Sequence, residues 1–192
     1  MEMGKTMMFD YAKSSKLYDT LYEYYGVLKL CRPTRKSRVL DVGCGLNPLK
    51  HVFKDSVVGV DLALNSKADI IADAYHLPFR DKSFDYVVSV EVIEHLKEPD
   101  KFIEELKRVS RRYIVVSTAN SLSGKHDERH VKEYNLFSLK RLFKKHGLTV
   151  ISYDFGGAGY KKFGLLVRKI KILKYLLPQW VYCEWFAICG EV

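Results

Sequence analysis

The chain reads Val39-Leu40-Asp41-Val42-Gly43-Cys44-Gly45 where its pattern is most informative. An apolar run here ends in an acid, and two glycines follow at alternate positions. This pattern predicts a buried strand that runs into a tight turn. Glycine permits a positive φ in such a turn, and its missing side chain lets a ligand approach the backbone closely.

A second apolar run extends the interpretation. The sequence Val57-Val58-Gly59-Val60 ends in Asp61, twenty residues after Asp41. Two strands that end in acids, with a glycine turn after the first, predict a nucleoside pocket at the carboxyl edge of a parallel sheet. A nicotinamide dinucleotide is not favoured, because Pro48 occupies the third glycine position of the Gly-x-Gly-x-x-Gly fingerprint.

Length and composition predict one folded domain. The chain has 192 residues, of which 47% are hydrophobic, and this is enough to build a core. Its 32 Lys and Arg residues exceed its 23 Asp and Glu residues, which gives a formal net charge of +9. This charge favours an anionic partner such as nucleic acid, a phosphorylated metabolite or an acidic membrane surface. A lysine-rich solvated surface would produce the same charge without any partner.

The four cysteines are Cys31, Cys44, Cys183 and Cys189, and no two of them form a Cys-x-x-Cys pair. No Cys and His cluster has the spacing of a zinc site, so the sequence alone predicts no metal. Reduced thiols and a cytoplasmic location are the expectation. Residues 1–13 lack the apolar core of a secretory signal, and no apolar run is long and unbroken enough to predict a membrane span.

Strand and helix patterns alternate along the chain. The predicted strands are Arg38–Val42, Val57–Asp61, Asp69–Ala72, Phe84–Val90, Arg112–Thr118, Leu148–Asp154 and Tyr182–Gly190. The predicted helices are Ser14–Leu30, Pro99–Val109 and Phe137–His146, the last with Asn135 as its N-cap and Gly147 at its end.

This alternation predicts a fold class. Several strands are continuous apolar runs, which suit a parallel sheet covered on both faces. We therefore expect an α/β three-layer sandwich with a doubly wound, mostly parallel seven-stranded sheet. Only Leu62–Ala68 joins the second and third strands, and this is too short for the usual crossover helix. A loop is predicted there.

Five segments, in this order, resemble class I S-adenosylmethionine-dependent methyltransferases of the methyltransferase type 11 kind. They are Val39–Gly45, Val58–Asp61, Ala72–Phe79, Phe84–Leu96 and Arg112–Asn120. The resemblance covers residues 37–155 and implies a Rossmann-like methyltransferase fold, with the last strand antiparallel beside the sixth. It implies S-adenosylmethionine as cofactor and S-adenosylhomocysteine as product. It also divides the single domain into an N-terminal helical lid (1–36), a cofactor-binding core (37–155) and a basic helix with the terminal strand (156–192).

The resemblance assigns roles to residues of the predicted pocket. Gly43 and Gly45 would let the loop pass under the methionine part of the cofactor. Asp61 would accept hydrogen bonds from the ribose hydroxyls, since an ionised acceptor makes the stronger bond. Asn47 stands where the family often has a third glycine, and Asn tolerates the left-handed backbone conformation better than most residues. The implied cofactor-binding residues are Asp41, Gly43, Gly45, Asp61, Leu62, Asp73, Ala74, Val90 and Glu91.

Two histidines are candidates for a catalytic role at the methyl acceptor. His95 follows Glu94 just after the fourth strand, and His130 lies in a segment that resembles the one reaching the acceptor pocket in this family. Imidazole can take a proton from a hydroxyl near neutral pH. The alternative is that both residues only order their loops.

The favoured function is methyl transfer to a small molecule, at a hydroxyl or carboxyl oxygen. An RNA or tRNA methyltransferase is the alternative, which the net charge and the basic segment Lys161–Lys174 support. That segment would either meet RNA or an anionic surface, or pack on the sheet with its lysine heads in water. A non-catalytic cofactor-binding or scaffold protein with the same fold also remains open.

Overall fold

The computed structural model describes residues 29–34, 36–123, 127–156, 183 and 185–192. The predicted N-terminal lid and the basic segment Lys161–Lys174 therefore lie outside the described residues, apart from residues 29–34 and 36. Of the predicted helix Ser14–Leu30, Lys29 and Leu30 are described, and both are helical. No helix in the described part of the chain has the length and hydropathy that a membrane crossing requires.

Seven strands form one sheet in the order β3-β2-β1-β4-β5-β7-β6. They are β1 (Val39–Val42), β2 (Val57–Asp61), β3 (Ile70–Ile71), β4 (Phe84–Val90), β5 (Ser110–Ala119), β6 (Thr149–Gly156) and β7 (Trp185–Glu191). Strand β7 runs antiparallel to both β5 and β6, and the pairs formed among β1 to β5 are parallel. The predicted sheet and the antiparallel last strand are confirmed.

The described helices are α1 (Leu49–Phe53), α2 (Pro99–Val109) and α3 (Leu136–Lys145), with short 3-10 turns at Lys54–Ser56, Ile93–His95 and Ser121–Ser123. The predicted bounds of α2 are confirmed, and α3 begins and ends one residue earlier than predicted. Asn135 is its N-cap, as predicted. The Asn135 side chain accepts a hydrogen bond from the Ser138 amide at 2.9 Å, and the Ser138 hydroxyl accepts one from the Asn135 amide at 3.0 Å. This reciprocal pair satisfies two backbone donors that a helix start leaves free.

Apolar side chains cover both faces of the sheet. One core cluster packs α2 and α3 against the sheet through residues such as Phe102, Leu106 and Phe143. The other includes Leu49 of α1 and Trp185 of β7. Consecutive residues of β4 belong to opposite clusters, because side chains of a strand alternate between its faces. The three-layer architecture follows from this double burial.

The connection between β2 and β3 contains no helix, as predicted. Hydrogen bonds hold it against the glycine turn instead. The Asp69 carboxylate accepts from the Gly59 amide at 2.9 Å and from Nδ2 of Asn47 at 3.3 Å, and it forms an ion pair with Lys50. The Lys67 amide donates to the carbonyl of Gly45 in the turn at 2.7 Å. Polar contacts therefore replace the helix packing that usually fixes this part of such a fold.

The cysteines depart from the prediction. Cys31 and Cys189 form a disulfide that ties the chain just before β1 to strand β7, so the prediction of reduced thiols is wrong for this pair. Cys44 and Cys183 are free and buried. Burial raises the pKa of the Cys44 thiol to about 12 and that of Cys183 to about 11, which makes both poor nucleophiles. The cysteines no longer support a cytoplasmic location, which stays a prediction.

Arg108 of α2 holds the loop between β3 and β4. Its guanidinium donates to the carbonyls of Leu77 and Phe79 at 3.0 and 2.7 Å, and to the carboxylates of Asp81 and Glu105 at 2.8 and 2.7 Å. We expect Arg108→Ala to lower the free energy of unfolding by about 2 kcal/mol, because several partly buried acceptors lose their donor at once. Urea denaturation measures this loss. Arg111→Ala is the control, because Arg111 is more exposed than Arg108. Its expected effect on the free energy of unfolding is below about 1 kcal/mol.

The ion pair between Arg108 and Glu105 makes the stability lost in Arg108→Ala depend on pH. The hydrogen bond from Arg108, followed by the one from the Leu77 amide, keeps the pKa of Glu105 below its ordinary value of 4.5. A carboxyl whose pKa is lowered in the folded state contributes stability above its unfolded pKa and loses it as pH falls. The difference between wild type and Arg108→Ala should therefore shrink as pH falls from 5 towards the lowered pKa of Glu105. A difference that stays constant over this range would contradict the assignment.

Candidate functional site

A cavity of about 250 Å³ opens where β1, β2 and β4 end. The chain leaves β1 towards β2 and β3 on one side and returns to β4 on the other, so the cavity lies at the switch point of the sheet. Its lining residues are Val42, Gly43, Val60, Asp61, Leu62, Ala72, Asp73, Ala74, Glu91, Val92, His95 and Leu96.

The glycine turn passes beneath this cavity. Gly43 has a φ of 76° and Gly45 a φ of 52°, both in the left-handed region. The amide of Gly43 donates to the Val60 carbonyl at 2.8 Å, which fixes the turn to β2. A Cβ atom on Gly43 would lie 2.3 Å from Cγ2 of Val92, so any larger residue would have to displace that side chain. Asn47 also has a positive φ, 54°, which agrees with the predicted tolerance of Asn at this position.

Asp61 connects the end of β2 to the glycine turn. Its Oδ2 accepts a hydrogen bond from the Gly45 amide at 2.8 Å, and its Oδ1 accepts one from the Ala63 amide at 2.8 Å. Each carboxylate oxygen has a second lone pair, so both can accept a further donor from a ligand. Leu62 beside it is 70% exposed and lines the cavity.

Asp73 provides a second carboxylate at the rim. Its Oδ1 accepts from the Tyr75 amide at 2.9 Å, and its Oδ2 lies 3.2 Å from Nδ1 of His76. The Tyr75 amide is the main cause that lowers the pKa of Asp73, so this group is an anion at neutral pH. Ala74 follows it and also lines the cavity.

The chain turns sharply at Glu91, directly after β4. Glu91 has a φ of 54°, which is rare for a residue with a side chain. The Ser117 hydroxyl donates to Oε1 of Glu91 at 3.2 Å, and the Glu91 amide donates to the Ser117 carbonyl at 3.2 Å. Contacts with β5 therefore hold this strained turn in place.

The structure brings most of the predicted site residues together. The cavity is lined by Gly43, Asp61, Leu62, Asp73, Ala74 and Glu91. The other three do not line it: Asp41 is buried in β1, Gly45 is bonded to Asp61, and Val90 ends β4. Five further lining residues were not predicted: Val42, Val60, Ala72, Val92 and Leu96. The apolar pattern that continues beyond β4 is the signal that could have identified Val92 and Leu96.

Both predicted catalytic histidines lie at the mouth of the cavity. His95 lines it directly, and the rings of His95 and His130 are 5.0 Å apart between centroids in an edge-to-face arrangement. Nδ1 of His95 lies 3.1 Å from the carbonyl oxygen of Arg129. His130 does not line the cavity itself. The loop that carries it therefore lies next to the cavity wall at His95, and we call this edge the mouth of the cavity.

The fold, with a cavity at the switch point of the sheet, is typical of α/β proteins that bind a nucleoside-containing ligand there. Comparison with known proteins identifies the family. Residues 40–113 match the model of the methyltransferase domain. The chain is 31% identical over 153 residues to a putative methyltransferase of Encephalitozoon cuniculi, an alignment that covers 67% of this chain and 72% of that protein. The chain belongs to the class I S-adenosylmethionine-dependent methyltransferases, and its cofactor is S-adenosylmethionine.

The names of other relatives indicate methyl transfer to different acceptor atoms. The chain is 34% identical over 99 residues to ajmaline N-methyltransferase of Rauvolfia serpentina, covering 41% of this chain and 34% of that enzyme. It is 34% identical over 103 residues to the chloroplastic tocopherol O-methyltransferase of Arabidopsis thaliana, covering 42% of this chain and 30% of that enzyme. The chain thus spans about a third of the length of these two relatives.

Solved structures agree on the fold. A S-adenosylmethionine-dependent methyltransferase from Archaeoglobus fulgidus superposes with a TM-score of 0.66 and 21% sequence identity, covering 93% of this chain and 95% of that one.

Proposed function

We propose that this protein transfers a methyl group from S-adenosylmethionine to an oxygen atom of a small-molecule acceptor. One observation carries the proposal: the cavity that holds six of the predicted cofactor residues has His95 on its wall and His130 beside its mouth. The predicted cofactor site is therefore next to an imidazole that is placed to take a proton from the hydroxyl of a methyl acceptor.

The residues present fit the cofactor. Asp61 retains acceptor capacity for the two ribose hydroxyls while its bonds to Gly45 and Ala63 fix its orientation. The exposed side chain of Leu62 gives adenine an apolar surface, and Asp73 with the adjacent Ala74 amide offers partners for its polar edge. Gly43 lines the cavity with bare backbone, along which the methionine part would lie.

The chain's main contribution to the reaction is alignment. The bound cofactor supplies an electrophilic methyl group on a sulfonium, and the acceptor oxygen must approach it in line. Holding two reactants in such geometry is worth about 7–11 kcal/mol. The strained turn at Glu91 and the buried strand end at Val90 give the wall behind the reacting centre a fixed position. His95 and His130 are the groups placed to act on the acceptor's hydroxyl.

An RNA acceptor is the second candidate, and the net charge of +9 favours it. The basic segment that would carry this binding lies outside the described residues. We therefore propose RNA as the alternative substrate only. Incubation with methyl-labelled cofactor and either a small-molecule extract or total RNA separates the two. Label in the small-molecule fraction supports our proposal, and label in RNA replaces it with the alternative. Cofactor binding without any label transfer would support a non-catalytic scaffold.

The cofactor itself gives the first measurement. Saturating S-adenosylhomocysteine at about 100 times its Kd should stabilise the protein by about 2.7 kcal/mol, because it binds the folded state alone. For a chain of this size the melting temperature should rise by roughly 5–10 °C. Differential scanning fluorimetry measures this shift, with NAD as the matched nucleotide control that produces none. The absence of a shift at millimolar S-adenosylhomocysteine would contradict the proposed site.

A further inference from the structure

We propose that Glu94, His95 and His130 bind a divalent first-row transition metal ion at the mouth of the cavity. Each of the three residues offers one potential ligand atom, and these atoms lie within 4.8 Å of one another. We further infer that the ion holds the oxygen of the methyl acceptor, and this second part rests on the proposed function.

Glu94 is the observation that points to a ligand. Its side chain is 1% exposed, and its Oε2 accepts a hydrogen bond from the Thr118 hydroxyl at 3.0 Å. Its Oε1 is also buried and has no hydrogen-bond partner within the part of the chain that the structure describes. A buried carboxylate oxygen without a partner is costly, and a bound cation is one of the few ways to offset this cost. The free oxygen therefore marks a place for a positive charge.

His95 is prepared for the same ion by its second nitrogen. Nδ1 of His95 lies 3.1 Å from the carbonyl oxygen of Arg129. A carbonyl oxygen can only accept, so Nδ1 carries a hydrogen, and in the neutral imidazole Nε2 then has the lone pair that a metal ion needs. Metal-binding histidines show this arrangement almost always, because the outer hydrogen bond fixes both the tautomer and the ring orientation.

Backbone hydrogen bonds join the two segments that supply the ligands. The carbonyl oxygen of Glu94 accepts from the amide of Val131 at 2.8 Å and from that of Lys132 at 3.1 Å. The loop that carries His130 is thereby fixed to the turn that carries Glu94 and His95. A metal site needs this kind of support, since its ligands must be held close to their final geometry before the ion arrives.

The ligand set selects the class of ion. Two imidazole nitrogens and one carboxylate oxygen suit Zn²⁺, Mn²⁺, Fe²⁺ or Co²⁺, whereas Mg²⁺ prefers an all-oxygen environment. Ligand distances of about 2.0–2.2 Å require the three ligand atoms, now within 4.8 Å of one another, to move closer together when the ion binds. Three protein ligands leave a coordination position open, as in catalytic zinc sites.

The methyl acceptor would bind to the ion at this open coordination position, beside the cavity. An acceptor hydroxyl that coordinates there would lose its proton to bulk water more easily, because the cation stabilises the oxygen anion. That oxygen then forms a bond to the methyl carbon as the carbon–sulfur bond breaks. The electron pair of the broken bond stays on sulfur and gives S-adenosylhomocysteine. In this arrangement the histidines act as metal ligands rather than as proton acceptors.

Direct binding measurements test the metal site without any turnover. The full chain, stripped with a chelator, is titrated with Zn²⁺ and with Co²⁺ by isothermal calorimetry, and the Co²⁺ complex is followed by visible absorption. We expect one ion per chain. The substitutions Glu94→Gln and His130→Ala should each weaken binding at least about 10-fold. His51→Ala, which replaces an exposed residue of α1, should not change the affinity for the metal ion. Unchanged affinity in His130→Ala, or no binding by the wild type, would overturn the proposal.

Three further measurements keep the inferences apart. His95→Ala replaces an exposed side chain and should fold normally, so it tests the site even if Glu94→Gln does not fold. The thermal shift by S-adenosylhomocysteine is repeated on the metal-free protein, where it should persist. Its loss in both forms would contradict the proposed function, while metal binding would stand. Metal that binds but does not change the rate of methyl transfer would overturn the role of the ion at the acceptor.

Discussion

Asp61→Ala should lower the affinity for S-adenosylhomocysteine by at least about 100-fold. Under our proposal the Asp61 carboxylate accepts hydrogen bonds from both ribose hydroxyls. A hydrogen bond to a charged group contributes about 1.5–3 kcal/mol, and each 1.4 kcal/mol is a factor of ten in affinity. The same substitution removes the acceptor of the Gly45 amide, 2.8 Å away, so the glycine turn also loses its anchor. Both effects act in the same direction.

Two variants separate these contributions in isothermal calorimetry. Asp61→Asn keeps one oxygen acceptor of the same size and loses the charge, so its affinity should fall between those of wild type and Asp61→Ala. Asp55→Ala removes an exposed acid from the turn Lys54–Ser56 and is the matched control, with unchanged affinity. Wild-type affinity in Asp61→Ala would show that the ribose is held elsewhere.

The parts of the site that the sequence predicts are those that follow from local patterns. Gly43, Asp61 and Asp73 each follow a recognisable strand, and the carboxyl ends of parallel strands meet at one edge of the sheet. The strand pattern alone therefore predicts that these residues lie around one cavity. A local pattern also predicts the Asn135 cap, which depends on a hydrogen bond to a residue three positions away.

Other features depend on contacts between residues far apart in the sequence. Cys31 and Cys189 are separated by 158 residues, and no spacing rule pairs them. Glu94 lies near His130 across 36 positions of sequence, where the amides of Val131 and Lys132 bond to the Glu94 carbonyl. Strand β3 is two residues long, shorter than the predicted Asp69–Ala72, although the amides of Asp69 and Ala72 still donate to backbone carbonyls of β2. These outcomes are decided by tertiary packing.

The two glycines of the turn should respond differently to the same substitution. Gly43→Ala should lower the free energy of unfolding by roughly 3–4 kcal/mol, whereas Gly45→Ala should lower it by only about 1–2 kcal/mol. Both positions have a positive φ, which costs about 1–2 kcal/mol for a residue with a Cβ. At Gly45 a new Cβ meets no atom within 4 Å, but at Gly43 it lies 2.3 Å from Val92 Cγ2. Overpacking of this kind adds about 1–3 kcal/mol.

A double-mutant cycle assigns the extra loss at Gly43 to the contact with Val92. Val92→Ala alone should destabilise the protein, because Val92 packs against the main core cluster. In the Gly43→Ala background it should cost less or even restore stability, with a coupling of about 1–2 kcal/mol measured by urea denaturation. Val92 also lines the cavity, and its branched side chain has few alternative rotamers. Gly43→Ala should therefore weaken binding of S-adenosylhomocysteine as well, and additive effects of the two substitutions would contradict this explanation.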